Sequence, residues 1–429
     1  MLDNQKEYLP RHMDAMLKEY LELYPVVLVE GAKSVGKTST CKNLSRTVFY
    51  LDAENHFDII SSAPEIILKS DPTVLIDEWQ KYPPIWERAR RMVDEGMPVG
   101  TLLMTGSSPS IASQLHSGSG RIVKLKMRPF TIEERKMSEQ FISLTGLAKI
   151  ERLEPERIDY ALEDYLDEIF KSGIPGIRDL AEKARKGMLE GYVENIITRE
   201  FEENGFVIRR SDALRKWLRS YAAAIGTVTD FQTILETASK DEGDMPARQT
   251  VANYREALIT LGIIEELPSW PDFGKLFPAL SRSSKHFLLD PALIAPLLAV
   301  SKEKLMKGEA PHPIGKLNKS FFGRVFESFV YQSLATYAEV KHLSLSHLRL
   351  QKGNREIDFI LEDAENNQLF TIEVKSNVSV QNDDVKHLNW FYELAKEEFK
   401  ITRIVIYMGE FAYTRKDGVH VIPAAMLGI

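Results

Sequence analysis

Eight residues near the start of the chain, Gly31-Ala32-Lys33-Ser34-Val35-Gly36-Lys37-Thr38, fit the spacing of a phosphate-binding loop. Its glycines permit backbone angles that turn successive N–H groups inward, into an anion nest. A helix predicted to start near Lys37 adds the partial positive charge of its N-terminus. Lys37 has the length to reach β- and γ-phosphates. The hydroxyl of Thr38, with Ser39 beside it, suits an Mg2+ ligand. The loop is short of side chains because main-chain amides must touch the phosphates. A glycine-rich turn without a ligand is the plain alternative. The neighbours weigh against it, since "VVLVE" (26–30) reads as a buried strand and the residues after the loop as a helix.

"PTVLIDEWQ" is a second apolar strand, ending in Asp77 and Glu78. An acid at the end of a parallel strand beside such a loop can hold the Mg2+ shell, the role expected of Asp77. Glu78 is then the candidate to orient and deprotonate an attacking water. A third run, "TLLMTGSS", ends in hydroxyl residues. In NTPases with an additional strand, a polar residue at the tip of the strand between loop and acid senses the γ-phosphate, and Thr105 or Ser107 suits that place. Arg121 follows the glycine-rich "SGSG" and is either an arginine finger for a neighbouring subunit or a solvated surface arginine.

Another constellation lies near the C-terminus, in "NREIDFILEDAENNQLFTIEVKSN". A polar turn at 363–368 predicts an antiparallel hairpin that sets Asp358 opposite Glu373. Glu373 and Lys375 share a face by strand alternation. Two carboxylates can bind Mg2+ and a lysine can stabilise charge, the makings of metal-assisted phosphodiester hydrolysis. A register half a residue away would separate them. Glu327 sits on the flank of an apolar helical stripe, where an acid needs a metal or a lysine as partner. E-x-K alone is weak evidence, because it recurs at Glu134, Glu339 and Glu398. A nucleic-acid-binding domain that keeps these residues, or a salt-bridge cluster on a sheet, fits the same pattern.

The elements that must position these groups follow from periodicity. Runs at 26–30, 47–52, 73–78, 101–106 and 121–127 lack polar alternation, so an α/β domain with a helix-covered parallel sheet is expected over 1–145. Helical signals dominate 146–300. There "TDFQTILETASKDEGDMPARQTVANYREALITLGIIEELPSW" has a winged-helix pattern, with Arg248, Asn253 and Arg255 on the helix that would reach a groove or contact a protein. Arg209, Arg210, Arg215, Lys216 and Arg219 form a basic cluster, readable as a phosphate patch or a solvated helix face. Residues 301–429 predict a third α/β unit: a helix at 321–337, a hairpin at 356–375, a helix at 383–399 and the strand "ITRIVIYMG".

Composition bounds the function classes. Apolar residues make up 44% and charged residues 27%, as in ordinary globular proteins, and the formal net charge of −7 argues against a basic nucleic-acid coat. One cysteine, Cys41, excludes an internal disulfide framework. A polar N-terminus without an apolar core and short apolar runs predict a cytoplasmic chain with no membrane contact.

The motifs "YLPRHMD", "EGAKSVGKT", "VLIDEWQK", "LLMTGSS" and "GRIVKLKMRPF", in this order, resemble prokaryotic AAA-superfamily ATPases with a C-terminal nuclease-like domain. "GIPG" (173–176), "TVANYREALITLGIIEELPSW" and "GRVFESFV…REIDFIL…TIEVKSN" extend the resemblance over nearly the whole chain. Ala32 departs from it, standing where that family commonly has proline. The resemblance implies ATP and Mg2+ as ligands, DNA or RNA as a partner, homo-oligomerisation, and a C-terminal restriction-endonuclease-like fold. In such a fold Asp358, Glu373 with Lys375, and the helical Glu327 would form the site. A nucleotide-dependent switch or scaffold that binds without cleaving is the alternative.

Overall fold

The five apolar runs of the N-terminal part pair in parallel throughout. They form β1 (Val26–Glu30), β2 (Thr47–Tyr50), β3 (Val74–Asp77), β4 (Leu102–Gly106) and β5 (Ile122–Lys126), in the order β2-β3-β4-β1-β5. The computed structural model describes residues 8–107, 120–203, 206, 211–238, 248–271, 283–307, 319–350 and 355–429. Val27 and Val29 enter one core and Val26 and Leu28 another, so both faces of the sheet are covered. That explains the missing polar alternation. The order puts β4 between the strand that leads into the glycine loop and the strand that ends in Asp77.

Next come helices Leu162–Lys171, Glu182–Asn195 and Ser211–Ala223, with a π-helical turn at Ile196–Glu200. Helices Phe231–Ala238 and Arg248–Thr260 lead into an antiparallel hairpin of β8 (Ile264–Leu267) and β9 (Lys285–Leu288), the helix–helix–hairpin order expected for this stretch. Between the N-terminal sheet and these helices run two short strands, β6 (Ile142–Ser143) and β7 (Glu156–Arg157).

The C-terminal part is a mixed sheet of β10 (Ser344–Arg349), β11 (Glu356–Asp363), β12 (Gln368–Lys375), β13 (Lys400–Tyr407), β14 (Phe411–Thr414) and β15 (His420–Pro423). Helix Lys319–Val340 lies in the core on one face and helix Lys386–Ala395 in the core on the other. Strand β7 joins the edge of this sheet beside β14, and β6 pairs with the terminal strand β16 (Leu427–Gly428). Secondary structure thus crosses the boundary expected near 145. One apolar core runs unbroken from Met13 through Tyr254 to Leu427. Among the described residues no helix is long and apolar enough to cross a membrane.

Candidate functional site

The loop after β1 turns on three left-handed residues. Gly31 has φ 153°, Ser34 φ 66° and Gly36 φ 104°. A Cβ on Gly31 would lie 2.3 Å from the Met127 carbonyl oxygen, so the loop can pass Met127 only as glycine. The helix that follows, Lys37–Lys42, is six residues long. The loop amides therefore carry more of the anion-binding capacity than a long helix dipole would.

Lys37 is buried, and its Nζ donates to the carbonyls of Gly31 (2.9 Å) and Ala32 (2.8 Å). Burial lowers its pKa, opposed by the charges of Glu78 and Asp77. Thr38 Oγ1 donates to Asp77 Oδ1 at 2.9 Å, and Thr105 Oγ1 donates to the same oxygen. The hydroxyl and carboxylate expected to share a metal therefore touch. Glu78 is left-handed (φ 57°) and accepts from Gln80 Nε2 at 2.5 Å, while the same Nε2 reaches Ser107 Oγ at 3.1 Å. A Cβ on Gly106 would come within 2.5 Å of Trp79 Nε1, which fixes the small residue at the tip of β4.

These groups line one cavity of about 610 Å3, together with Lys33, Ser34, Ser39, Asp52, Lys81 and Glu203. Ser107 faces it, whereas Thr105 is spent on Asp77. Sequence reasoning missed Gln80, Asp52, Lys81 and Glu203. Gln80 lies in the quoted "IDEWQK", and nothing in its type marked it. Arg121 is not brought to this cavity. It precedes Ile122, which pairs with Val26 at the entry end of the sheet, and its Nε is held by Asp94 at 2.6 Å. That position leaves it no part in its own chain's site.

The loop is also clamped from outside the sheet. Buried Arg11 donates from Nη1 to the Val35 carbonyl (2.9 Å) and from Nη2 to the Arg128 carbonyl (2.7 Å), with Nε 3.0 Å from Glu134. From the middle region, Tyr192 Oη donates to the Lys33 carbonyl (3.2 Å) and a Cβ on Gly262 would sit 3.3 Å from Ala32 N. Lys33 Nζ lies 3.1 Å from Glu203 and 3.6 Å from buried Glu200. The "RHMD", "MRPF" and "TLGI" segments are thus the walls of the phosphate loop.

At the C-terminal constellation, the pairing of Phe359 with Ile372 carries Asp358 opposite Glu373, the register the sequence asked for. Asp358 Oδ2 accepts from Val374 N at 2.9 Å, and Lys375 Nζ donates to Glu373 Oε2 at 2.5 Å. A residue unforeseen in the sequence dominates the group. Lys285 of β9, fully buried, lies 2.8 Å from Glu327 Oε1, 3.0 Å from Glu356 Oε1 and 3.2 Å from Asp358 Oδ1. Burial pulls its pKa down, but Glu327, Asp358 and Glu356 outweigh this and raise it well above the usual lysine value. Burial pushes Glu327 up to about 8, even against the pull of Lys285. Among the described residues no group of three His, Cys, Asp or Glu side chains is arranged to hold a metal ion. Glu327, Asp358 and Glu373, expected as metal ligands, each have a lysine ammonium within 3.2 Å, the partner that was the other expectation for Glu327.

The basic groups of the middle region are partly engaged. Arg255 pairs with Glu266 at 2.5 Å and stacks over Phe231, so it is not free for a groove, and Arg215 pairs with Glu194. Arg209, Arg210 and the side chain of Arg248 lie outside the described residues.

Residues 23–136 match an AAA domain family, residues 162–304 a domain of unknown function (DUF8612), and residues 322–427 another (DUF4143). With the strand order and the loop geometry, the first match makes the N-terminal part a P-loop domain of the AAA type. No curated protein matches the chain. Among solved structures, the Walker-type ATPase PABY2304 of Pyrococcus abyssi is 17% identical, covering 68% of this chain and 97% of its own, with a TM-score of 0.43. CDC6P of Pyrobaculum aerophilum is 12% identical (62% and 91% covered, TM-score 0.24). The Aeropyrum pernix ORC1 protein, solved in complex with DNA, is 13% identical (69% and 94%, TM-score 0.24).

Proposed function

We propose that this chain binds and hydrolyses ATP at the P-loop cavity and that the nucleotide state is passed to a C-terminal, restriction-endonuclease-like domain directed at nucleic acid. The observation that carries the first part is the contact of Thr38 with Asp77 at 2.9 Å, in a cavity that Lys37 and Glu78 also line. Thr38 and Asp77 are hard oxygen donors and fit Mg2+. When bound, that ion would neutralise phosphate charge. The loop amides from Gly31 to Lys37 and the Lys37 ammonium bind and orient the phosphates. Ser107 reads the γ-phosphate end. Glu78, held by Gln80, takes the proton of the attacking water.

Coupling runs through Lys33 and Ala32, which touch Glu200, Glu203, Tyr192 and Gly262 of the middle region. A switch that binds nucleic acid or protein without cleaving is the second reading. The lysine partners of Glu327, Asp358 and Glu373 favour it.

Phosphate release is the direct test. Lys37→Ala lowers turnover by roughly 100-fold or more, the usual cost of a lost charge-stabilising donor. Glu78→Gln lowers it by about 10²–10⁴ while ATP still binds. Full turnover in Lys37→Ala removes the assignment. Metal-dependent cleavage of DNA or RNA, lost in Asp358→Ala and Lys375→Ala, selects the nuclease over the switch.

A further inference from the structure

The C-terminal carboxylates converge on a point that the chain itself fills. Glu327 comes from helix Lys319–Val340, while Glu356 and Asp358 come from β11. One oxygen of each lies within 3.2 Å of Lys285 Nζ, which arrives from the β8–β9 hairpin. Three carboxylates face the ammonium, which donates hydrogen bonds to Glu327 and Asp358 and forms an ion pair with Glu356. Lys285 is 0% exposed, and no solvated lysine tip reaches such a place by chance of surface packing.

The surroundings are built for a cation at that point. Val374 N fixes the second oxygen of Asp358, and Arg349 Nη1 lies 3.3 Å from the second oxygen of Glu356. Glu373, opposite Asp358, keeps Oε1 buried with no hydrogen-bond partner. Four acids (Glu327, Glu356, Asp358, Glu373) thus face three bases (Lys285, Arg349, Lys375).

We propose that Lys285 is the resident cation of the C-terminal cluster, standing in for a divalent metal, and that Glu327, Glu356 and Asp358 take up such a metal once this ammonium is withdrawn. The hairpin that delivers it is anchored at its other strand. Glu265 of β8 lies 2.7 Å from Lys126 and 3.1 Å from Arg128, both of the P-loop domain, and accepts from Tyr331 at 2.8 Å. The lysine is therefore held by the contact between the two ends of the molecule. The acids around Lys285 are gathered by the fold itself, whether or not the P-loop turns over ATP.

Counting bound Mn2+ in the nucleotide-free full chain, by the electron paramagnetic resonance of the free ion, tests this. Wild type and Asp358→Asn should bind the same number of ions. Lys285→Met should bind one more, which Lys285→Met/Asp358→Asn loses. Mn2+ should also raise the melting temperature of Lys285→Met more than that of wild type. Lys285→Gln, with a neutral donor kept in place, serves the same comparison if the methionine variant does not fold. Loss of an Mn2+ site on Asp358→Asn in the wild-type background overturns the proposal. A folded Lys285 variant without the added site overturns it as well.

Discussion

Lys37 and Lys285 are both buried, and their environments treat their charge in opposite ways. Lys37 is held by two neutral carbonyls of its own loop, and burial lowers its pKa. Its charge is left for a phosphate to answer. Lys285 meets three carboxylates, which raise its pKa well above normal despite burial, and its charge is already answered. The difference is between a site made of backbone and one made of side chains. Amides pointing into a nest stay polar whatever arrives, so the lysine among them can serve a ligand. Carboxylates gathered away from water destabilise the fold unless a cation answers them.

Exchanging the variants across the two sites gives the largest effects. Lys37→Ala removes catalysis and leaves two carbonyls without one donor, so its melting transition should stay near wild type. Lys285→Met should do the reverse. Leaving buried Glu327 and partly buried Glu356 and Asp358 without their cation costs up to about 3–5 kcal/mol, while ATP binding to the folded fraction changes little. Urea unfolding and ATP titration on both variants check the pair. A Lys285→Met chain as stable as wild type would mean that the acids there are neutral and the ion-pair description fails.

A smaller effect concerns pH. His347 of β10 is fully buried beside the hairpin, and its Nε2 lies 2.9 Å from the Ser283 carbonyl. Burial, helped by the nearby Lys285 charge, lowers its pKa to about 4. Above pH 6.5 the ring is neutral folded and unfolded, and it contributes no pH dependence. Between 6.5 and 4 the unfolded chain takes a proton that the folded chain refuses, so stability falls with pH, by about 3 kcal/mol over the window. His347→Gln should flatten that slope in urea midpoints measured at pH 7 and pH 5. An unchanged slope would assign the loss to other groups.

The two sites also differ in how far they could be read from sequence. The phosphate loop is contiguous, and its partner acid ends a strand whose apolar run is plain. Local patterning therefore placed Gly31 to Thr38 and Asp77, and parallel pairing brought them together. The hairpin register that faces Asp358 with Glu373 was legible for the same reason, since a short polar turn fixes it. Lys285 was not. It sits in "SSKHFLLD", where a lysine reads as a strand-edge charge, and its partners lie 42 to 73 residues further on. Only the packing of the hairpin on β11 turns it inward. Arg121, expected as a finger for a neighbouring subunit or a surface arginine, is sent by the parallel register to the end of the sheet away from its own chain's loop, a place that suits both readings. The short strands β6 and β7 carry almost no periodicity, being two residues each; β7 exists because the C-terminal sheet offers it an edge, and β6 because the terminal strand β16 pairs with it.

The smallest expected effect sharpens the comparison at the P-loop, where an acid stands on the wrong side for an anion. Glu203 lines the phosphate cavity and pairs with Lys33 at 3.1 Å, in a half-exposed contact worth little to stability. Lys33 also lies 3.6 Å from the buried Glu200, so it keeps a partner when Glu203 is removed. Glu203→Ala therefore subtracts one negative charge from the cavity wall without freeing Lys33 to wander. A triphosphate should then bind more tightly, by about two- to fivefold at low salt, matching an exposed pair's few tenths to 1 kcal/mol. The gain should shrink as ionic strength rises, because a charge at the cavity mouth is screened within about 10 Å at 0.1 M salt. At the C-terminal cluster the same kind of removal, of Glu356, should instead weaken the fold, since there the acids hold a buried cation. If Glu203→Ala loosens ATP at every salt concentration, the Lys33–Glu203 pair is part of the cradle itself, and the middle region shapes the nucleotide site rather than merely resting on it.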